Sequence, residues 1–158
     1  MENIEIEKKF LINNIPFNIT LFPHVKIMQG YISVSPDGTE VRLRKRDRKF
    51  FLTVKSAGGI SRKEVEIKIS KEQFGRLWLF TEGRRIFKTR YNIKYNNYLI
   101  EVDCYEDDLK GFMAAEVEFK NEEDMAGFRP PEWFGKDISD DDRYKNKNLA
   151  LYGFQYNG

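Results

Sequence analysis

Glu5-Ile6-Glu7-Lys8-Lys9 decides how the rest of the chain is read. With Ile4, Ile6 and Phe10 at the alternate positions, the stretch has the period of a β-strand. Successive strand side chains point to opposite faces, so Glu5, Glu7 and Lys9 share one face. On an isolated strand such a face would simply be solvated. The reading changes because the same device returns in strand after strand.

Lys26 to Val34 sets Gln29, Tyr31 and Ser33 against Met28, Ile32 and Val34. Pro36-Asp37-Gly38 turns it into Glu40 to Arg46, where Arg42 and Arg44 oppose Val41 and Leu43. Phe50 to Ser56 follows, with Phe51, Thr53 and Lys55 opposed to Leu52 and Val54, and a loop at Ala57-Gly58-Gly59. Ser61 to Ile69 sets Arg62, Glu64, Glu66 and Lys68 against Val65, Ile67 and Ile69. The period then changes. Ser70 and Gln73 form a capping box, and Phe74, Leu77 and Trp78 predict a helix from Lys71 to Thr81, ended by Gly83.

Strands resume over Arg84 to Tyr91 and Lys94 to Tyr105, with Lys88 and Arg90, then Glu101 and Asp103, on one parity. Asn92 or, equally, Asn96-Asn97 turns the chain between them. Ala114 to Lys120 is the last strand and carries Glu116 and Glu118. Asn13 to Pro23 is a loop or short helix. Asn121 caps a short helix over Glu122 to Ala126, broken by Pro130-Pro131, and Asp140 to Tyr152 runs from a polar turn into a terminal helix. His24, Cys104 and the Trp78 and Trp133 rings read as surface or packing residues rather than chemistry.

The chain of 158 residues suits a single domain over 1–158 with a real core. Charged residues make up 33%, yet the net charge is only +2, which argues against a general nucleic-acid binder. The 15% aromatic content argues against disorder. One cysteine excludes an internal disulfide and suits a reducing compartment. No apolar leader and no membrane span is legible, so the expectation is a cytoplasmic domain.

About eight strands with short turns predict an antiparallel sheet or barrel. The charged parity is sorted by strand: Glu-x-Glu, Arg-x-Arg, Glu-x-Glu, Lys-x-Arg, Glu-x-Asp, Glu-x-Glu. Decorative surface charge would be mixed within each strand, and the apolar parity needs covering with few helices at hand. A closed barrel with a charged lumen, wrapped outside by helices, satisfies both. Forked Arg-x-Arg donors match phosphate oxygens, and all-oxygen Glu-x-Glu pairs suit Mg²⁺ or Mn²⁺ rather than Zn²⁺.

In order, Glu5-x-Glu7-x-Lys9, Gln29-Gly30-Tyr31, Arg42-x-Arg44, Lys55, Arg62-x-Glu64-x-Glu66, Lys88-x-Arg90-Tyr91, Glu101-x-Asp103 and Ala115-Glu116-Val117-Glu118 resemble the CYTH superfamily, the triphosphate tunnel metalloenzymes. Asp140 to Asn146 is similar to that family's carboxy-terminal motif, with Asp142 where a proline is common. The resemblance implies a mainly β (α+β) fold, an eight-stranded antiparallel β-tunnel with a few helices packed outside. It also implies a substrate clamp of Lys9, Arg42, Arg44, Lys55, Lys88 and Arg90. Glu5, Glu7, Glu116 and Glu118 would hold the metal, with Asp103, Glu64 and Glu66 completing or orienting its shell.

The expected activity is metal-dependent hydrolysis of a triphosphate, most simply tripolyphosphate to pyrophosphate and phosphate. Tyr31 and Lys88 are candidates for proton handling, and Glu5 and Glu7 for the chemistry beside the metal. The alternatives are a class IV-type adenylyl cyclase, a thiamine triphosphatase or a non-catalytic polyphosphate-binding module. The expected partner is a small-molecule triphosphate or polyphosphate, not a nucleic acid or a membrane. A second copy, as a homodimer, is the one protein partner considered.

Overall fold

The alternation closes on itself. In the computed structural model, which describes residues 3–57 and 61–154, eight antiparallel strands form a closed barrel. They are β1 Asn3–Leu11, β2 His24–Val34, β3 Glu40–Arg46, β4 Lys49–Lys55, β5 Ser61–Ile69, β6 Arg85–Tyr95, β7 Tyr98–Tyr105 and β8 Met113–Glu118. Around the barrel the order is β1-β5-β4-β3-β2-β6-β7-β8, returning to β1. β1 is therefore the seam. Its first half pairs with β5, Glu5 opposite Arg62, and its second half with β8, Lys9 opposite Glu116. Closure leaves no free sheet edge.

The hairpin between β6 and β7 turns at Asn96-Asn97, not at Asn92. Asn96 takes φ 53°, a left-handed conformation that asparagine tolerates and tight hairpins require. Asn92 stays in β6, opposite Glu101. Residues 58–60 of the loop expected after Ala57 lie outside the described residues.

Helix α1 runs Lys71–Trp78 and tightens into a 3-10 turn over Leu79–Thr81, so the expected helix is present with a different last turn. Its capping box is complete: Ser70 Oγ accepts from the Gln73 N–H at 3.0 Å, and Gln73 Oε1 from the Ser70 N–H at 2.8 Å. Phe74 is its buried anchor, against Phe50 and Trp78. Gly30 permits the close approach, since a Cβ there would meet Thr81 Cβ at 2.7 Å and Trp78 Cζ3 at 2.8 Å. Helix α2 is Glu122–Ala126, capped by Asn121, and α3 is Asn146–Tyr152, preceded by a 3-10 turn over Asp142–Tyr144.

The outside is covered unevenly, and less by helices than the pattern suggests. Phe10, Val102, Val117 and Phe119 of the β1–β7–β8 wall pack under Phe128, Trp133 and Phe134 from the irregular segment after α2. Burying each such ring contributes about 2 kcal/mol. On β4 and β5, Val54, Val65 and Ile67 stay exposed. No described helix is long and apolar enough to cross a membrane.

Candidate active site

Inside the barrel is a cavity of about 280 Å³ lined mainly by charged side chains. Strand alternation alone puts them there: Glu5, Glu7 and Lys9 from β1, Arg42 and Arg44 from β3, Lys55 from β4, and Glu64 and Glu66 from β5. The opposite wall adds Arg90 from β6, Glu101 from β7, and Glu116 and Glu118 from β8. Lys88 and Asp103, from the same parity, do not line the cavity. Both are fully buried beside Arg90.

That wall is a finished ion-pair network. Asp103 accepts from Lys88 Nζ at 2.7 Å, from Arg90 Nε at 2.7 Å and from Arg90 Nη2 at 2.8 Å. Arg90 also reaches Glu101 at 3.1 Å and Glu116 at 3.2 Å. Lys9 donates to the Tyr144 carbonyl at 2.6 Å and stands 3.9 Å from Glu116. Burial pushes both carboxyls up, but Arg90 and Lys88 override it. Asp103 is held well below the usual carboxylate range and Glu116 at about 2. Burial pulls Lys88 down to about 7 against the attraction of Asp103, because Arg90 engages both Asp103 oxygens and repels the ammonium.

Across the cavity the balance is different. Lys55 Nζ bridges Glu5 at 2.9 Å and Glu64 at 3.4 Å, and Arg62 holds Glu7 at 3.0 Å. Glu118 has no cation partner and Arg44 no carboxylate partner among the described residues. Burial raises the Glu118 carboxyl above its ordinary value of 4.5, and Glu5, Glu7, Glu101 and Glu64 raise it further. Glu7 is raised by burial and then by Glu116, and Glu5 by burial and then by Glu64. Arg44 is pulled down to about 10 by burial, then by Arg42 and Arg90. Arg42 Nε, Arg62 Nε and Glu64 Oε2 are buried without a hydrogen bond. Each such orphan costs about 1–3 kcal/mol, so a group of them around one cavity argues for a ligand.

The donor chemistry fits a hard divalent cation. All the candidate ligands are carboxylate oxygens, and the buried Glu64 Oε2 makes no hydrogen bond. Among the described residues no three acids are gathered into a closed cage; they share the cavity instead.

The lumen is blind at one end. Tyr31, Ile86, Tyr105 and Ala114, all on the lumen parity, pack with Leu149 of α3 in a buried apolar cluster. Tyr105 donates its hydroxyl to Asn146 Oδ1. Ser139, Lys145 and Lys147 enter the cavity from this side, and Lys147 lies 4.0 Å from the buried Glu40. Sequence reasoning assigned no site role to these four residues. Glu40 was findable by extending the Arg42-x-Arg44 alternation back one step; Lys145 lies in the Asp140 to Asn146 stretch that carried only a resemblance, Ser139 in the turn before it and Lys147 in the first turn of α3, none with a strand period. Tyr31 has Gln29 rather than Lys88 beside it, and burial pushes its phenol well up, so the hydroxyl stays protonated and can donate a hydrogen bond. Lys88 instead faces the Tyr105 ring at 5.4 Å.

The family model described as the CYTH domain matches residues 3–143. The chain belongs to the CYTH family. An inorganic triphosphatase from Nitrosomonas europaea is 45% identical over 148 residues, covering 93% of this CYTH chain and 97% of its own. One from Acetivibrio thermocellus is 35% identical over 148 residues, 92% of each. A crystal structure of an inorganic triphosphatase superposes with a TM-score of 0.71 at 42% identity, covering 93% of this chain and 94% of that one.

Proposed function

We propose that this chain is a divalent-metal-dependent triphosphatase that cleaves inorganic tripolyphosphate with water to pyrophosphate and phosphate. One observation carries the reading: Arg44, a cation without a carboxylate, and Glu118, a carboxylate without a cation, face the same cavity. Arg44 is half-buried and Glu118 exposed at the cavity, so both stand open to a ligand that supplies the opposite charges. A polyphosphate with its metal does so. The identity to two inorganic triphosphatases supports the same substrate class.

In this reading Arg42, Arg44, Lys9 and Lys55 hold the phosphoryl oxygens, with Arg90 fixed from behind by Asp103 and Lys88. Glu5, Glu7, Glu64, Glu116 and Glu118 would hold Mg²⁺ or Mn²⁺, and Glu66 stands at the solvent-facing side of that set. Bound there, the metal would neutralise charge on the phosphoryl oxygens and polarise the phosphorus. The Glu5 and Glu7 carboxylates orient a water opposite the leaving pyrophosphate. Tyr31 donates to a phosphoryl oxygen, and the arginines stabilise the charge that grows on the leaving group. Lys88, bonded to Asp103, helps hold Arg90 in place.

The test is phosphate release from tripolyphosphate, thiamine triphosphate and ATP with Mg²⁺ or Mn²⁺, in wild type and Glu116→Ala. Fast metal-dependent cleavage of tripolyphosphate, lost in the variant, is the expected result. Cyclic AMP with pyrophosphate from ATP would move the assignment to a cyclase, and tight binding without turnover would leave a binding module.

A further inference from the structure

We propose that Gln29 is a positioning residue for this site, one that fixes the Arg44 guanidinium and leaves the Tyr31 hydroxyl proton free for the lumen. The inference rests on the triphosphate reading above. Gln29 lies in β2 directly opposite Arg44 of β3 and is fully buried. Its side-chain amide has two neighbours. Arg44 Nε donates to Oε1 at 3.0 Å, and Nε2 donates to Tyr31 Oη at 2.7 Å.

The chemistry of the partners fixes that orientation. A guanidinium N–H can only donate, so the amide oxygen must face it, and the amide nitrogen must then face the phenol. Tyr31 Oη is thereby an acceptor toward Gln29, and its own hydrogen must turn elsewhere. Among the described residues no other hydrogen bond engages that hydroxyl, and Tyr31 lines the cavity. Burial keeps the phenol protonated. The result is a one-way run of donors, Arg44 to Gln29 to Tyr31 to the lumen. The Nη groups of Arg44 are left for a ligand, since only its Nε is engaged. A glutamate here has the same shape and the opposite polarity. As a carboxylate it accepts from both neighbours and draws the Tyr31 proton away from the cavity.

The experiment uses the full chain as wild type, Gln29→Glu, Gln29→Leu, Tyr31→Phe and Gln29→Glu/Tyr31→Phe. It reads kcat/KM on tripolyphosphate with saturating Mg²⁺ across pH, and calorimetric affinity for tripolyphosphate in chelator. The expected result is a loss of about tenfold in kcat/KM and in metal-free affinity for Tyr31→Phe and for Gln29→Glu at neutral pH. Tyr31→Phe then adds less than about twofold to Gln29→Glu, because the proton it removes is already turned away. Lowering the pH restores Gln29→Glu relative to wild type, since a protonated carboxyl donates to Tyr31 as the amide does. Mere loss of packing would not restore activity with acid.

Additive losses, or a Gln29→Glu profile parallel to wild type, would overturn the proposal. So would folded Gln29→Leu that keeps wild-type affinity and kcat/KM. If Gln29→Leu does not fold, the pH profile of the isosteric Gln29→Glu decides. Wild-type protein that neither binds nor cleaves tripolyphosphate would overturn the triphosphate reading itself, and this proposal with it.

Discussion

Asp103 and Glu118 are carboxylates on neighbouring strands of one barrel, both on the parity that turns inward, and they have opposite tendencies. Asp103 is gripped by two cations and held ionised. Glu118 has no ion-pair partner among the described residues, and burial, then Glu5, Glu7, Glu101 and Glu64, push it toward its neutral form. The difference is one of partner, not of residue type. Asp103 and Arg90 belong to the framework of the site, whereas Glu118 keeps its charge in reserve for something that arrives.

The contrast breaks most visibly at Asp103. Asp103→Asn takes from buried Lys88 the carboxylate it is bonded to and leaves Arg90 only Glu101 and Glu116, a loss of about 3–5 kcal/mol. For a domain of this size the thermal midpoint should drop by on the order of 10 °C, read by calorimetry. Glu118→Gln should behave in the reverse way. Tripolyphosphate cleavage falls by about 100-fold as a ligand and its charge are lost, while the metal-free midpoint holds or rises because a repulsive charge is gone. A Glu118→Gln protein that melts as early as Asp103→Asn would erase the distinction.

Acid–base behaviour gives a subtler reading of the same contrast. Glu5, Glu7, Glu101 and Glu118 titrate above the ordinary 4.5 when folded, so they favour the fold while protonated and withdraw that support as pH rises through their folded values. Asp103 and Glu116 are depressed, so their support is present above the ordinary carboxylate values and lost as pH falls toward the folded ones. Metal-free protein should therefore be most stable in weak acid and lose stability toward neutrality, and Mg²⁺ should remove that decline. A metal-free midpoint that climbs steadily to pH 7 would count against the raised set. The smallest effect belongs to Glu66→Gln. Glu66 is exposed at the cavity rim, and its loss should change kcat/KM by about threefold or less.

Much of this was legible in the chain because strand alternation is strict. Once Glu5, Arg42, Glu64 and Glu116 are read as one parity, their convergence follows from closing the barrel. The parity rule says which way a side chain points but not how deep it lies. It therefore placed Lys88 and Asp103 with the lumen set, but could not say that they lie buried away from the cavity's open volume. The choice between Asn92 and Asn96-Asn97 was equally beyond the pattern, since both offer a residue that accepts a left-handed turn. Ser139, Lys145 and Lys147 reach the cavity through the docking of α3, a tertiary event without local signature.

The seam at β1 carries one more consequence, for the order in which the protein comes into being. Among the described strands β1 leaves the ribosome first, yet its partners are Arg62 of β5 and Glu116 of β8, the last strand made. Pairings so distant in sequence form late. Glu5, Glu7 and Lys9 meet the remaining charges only when β8 has joined them, so a nascent chain short of β8 holds arginines and lysines without the finished acidic wall. The chemistry is withheld until translation has passed Glu118.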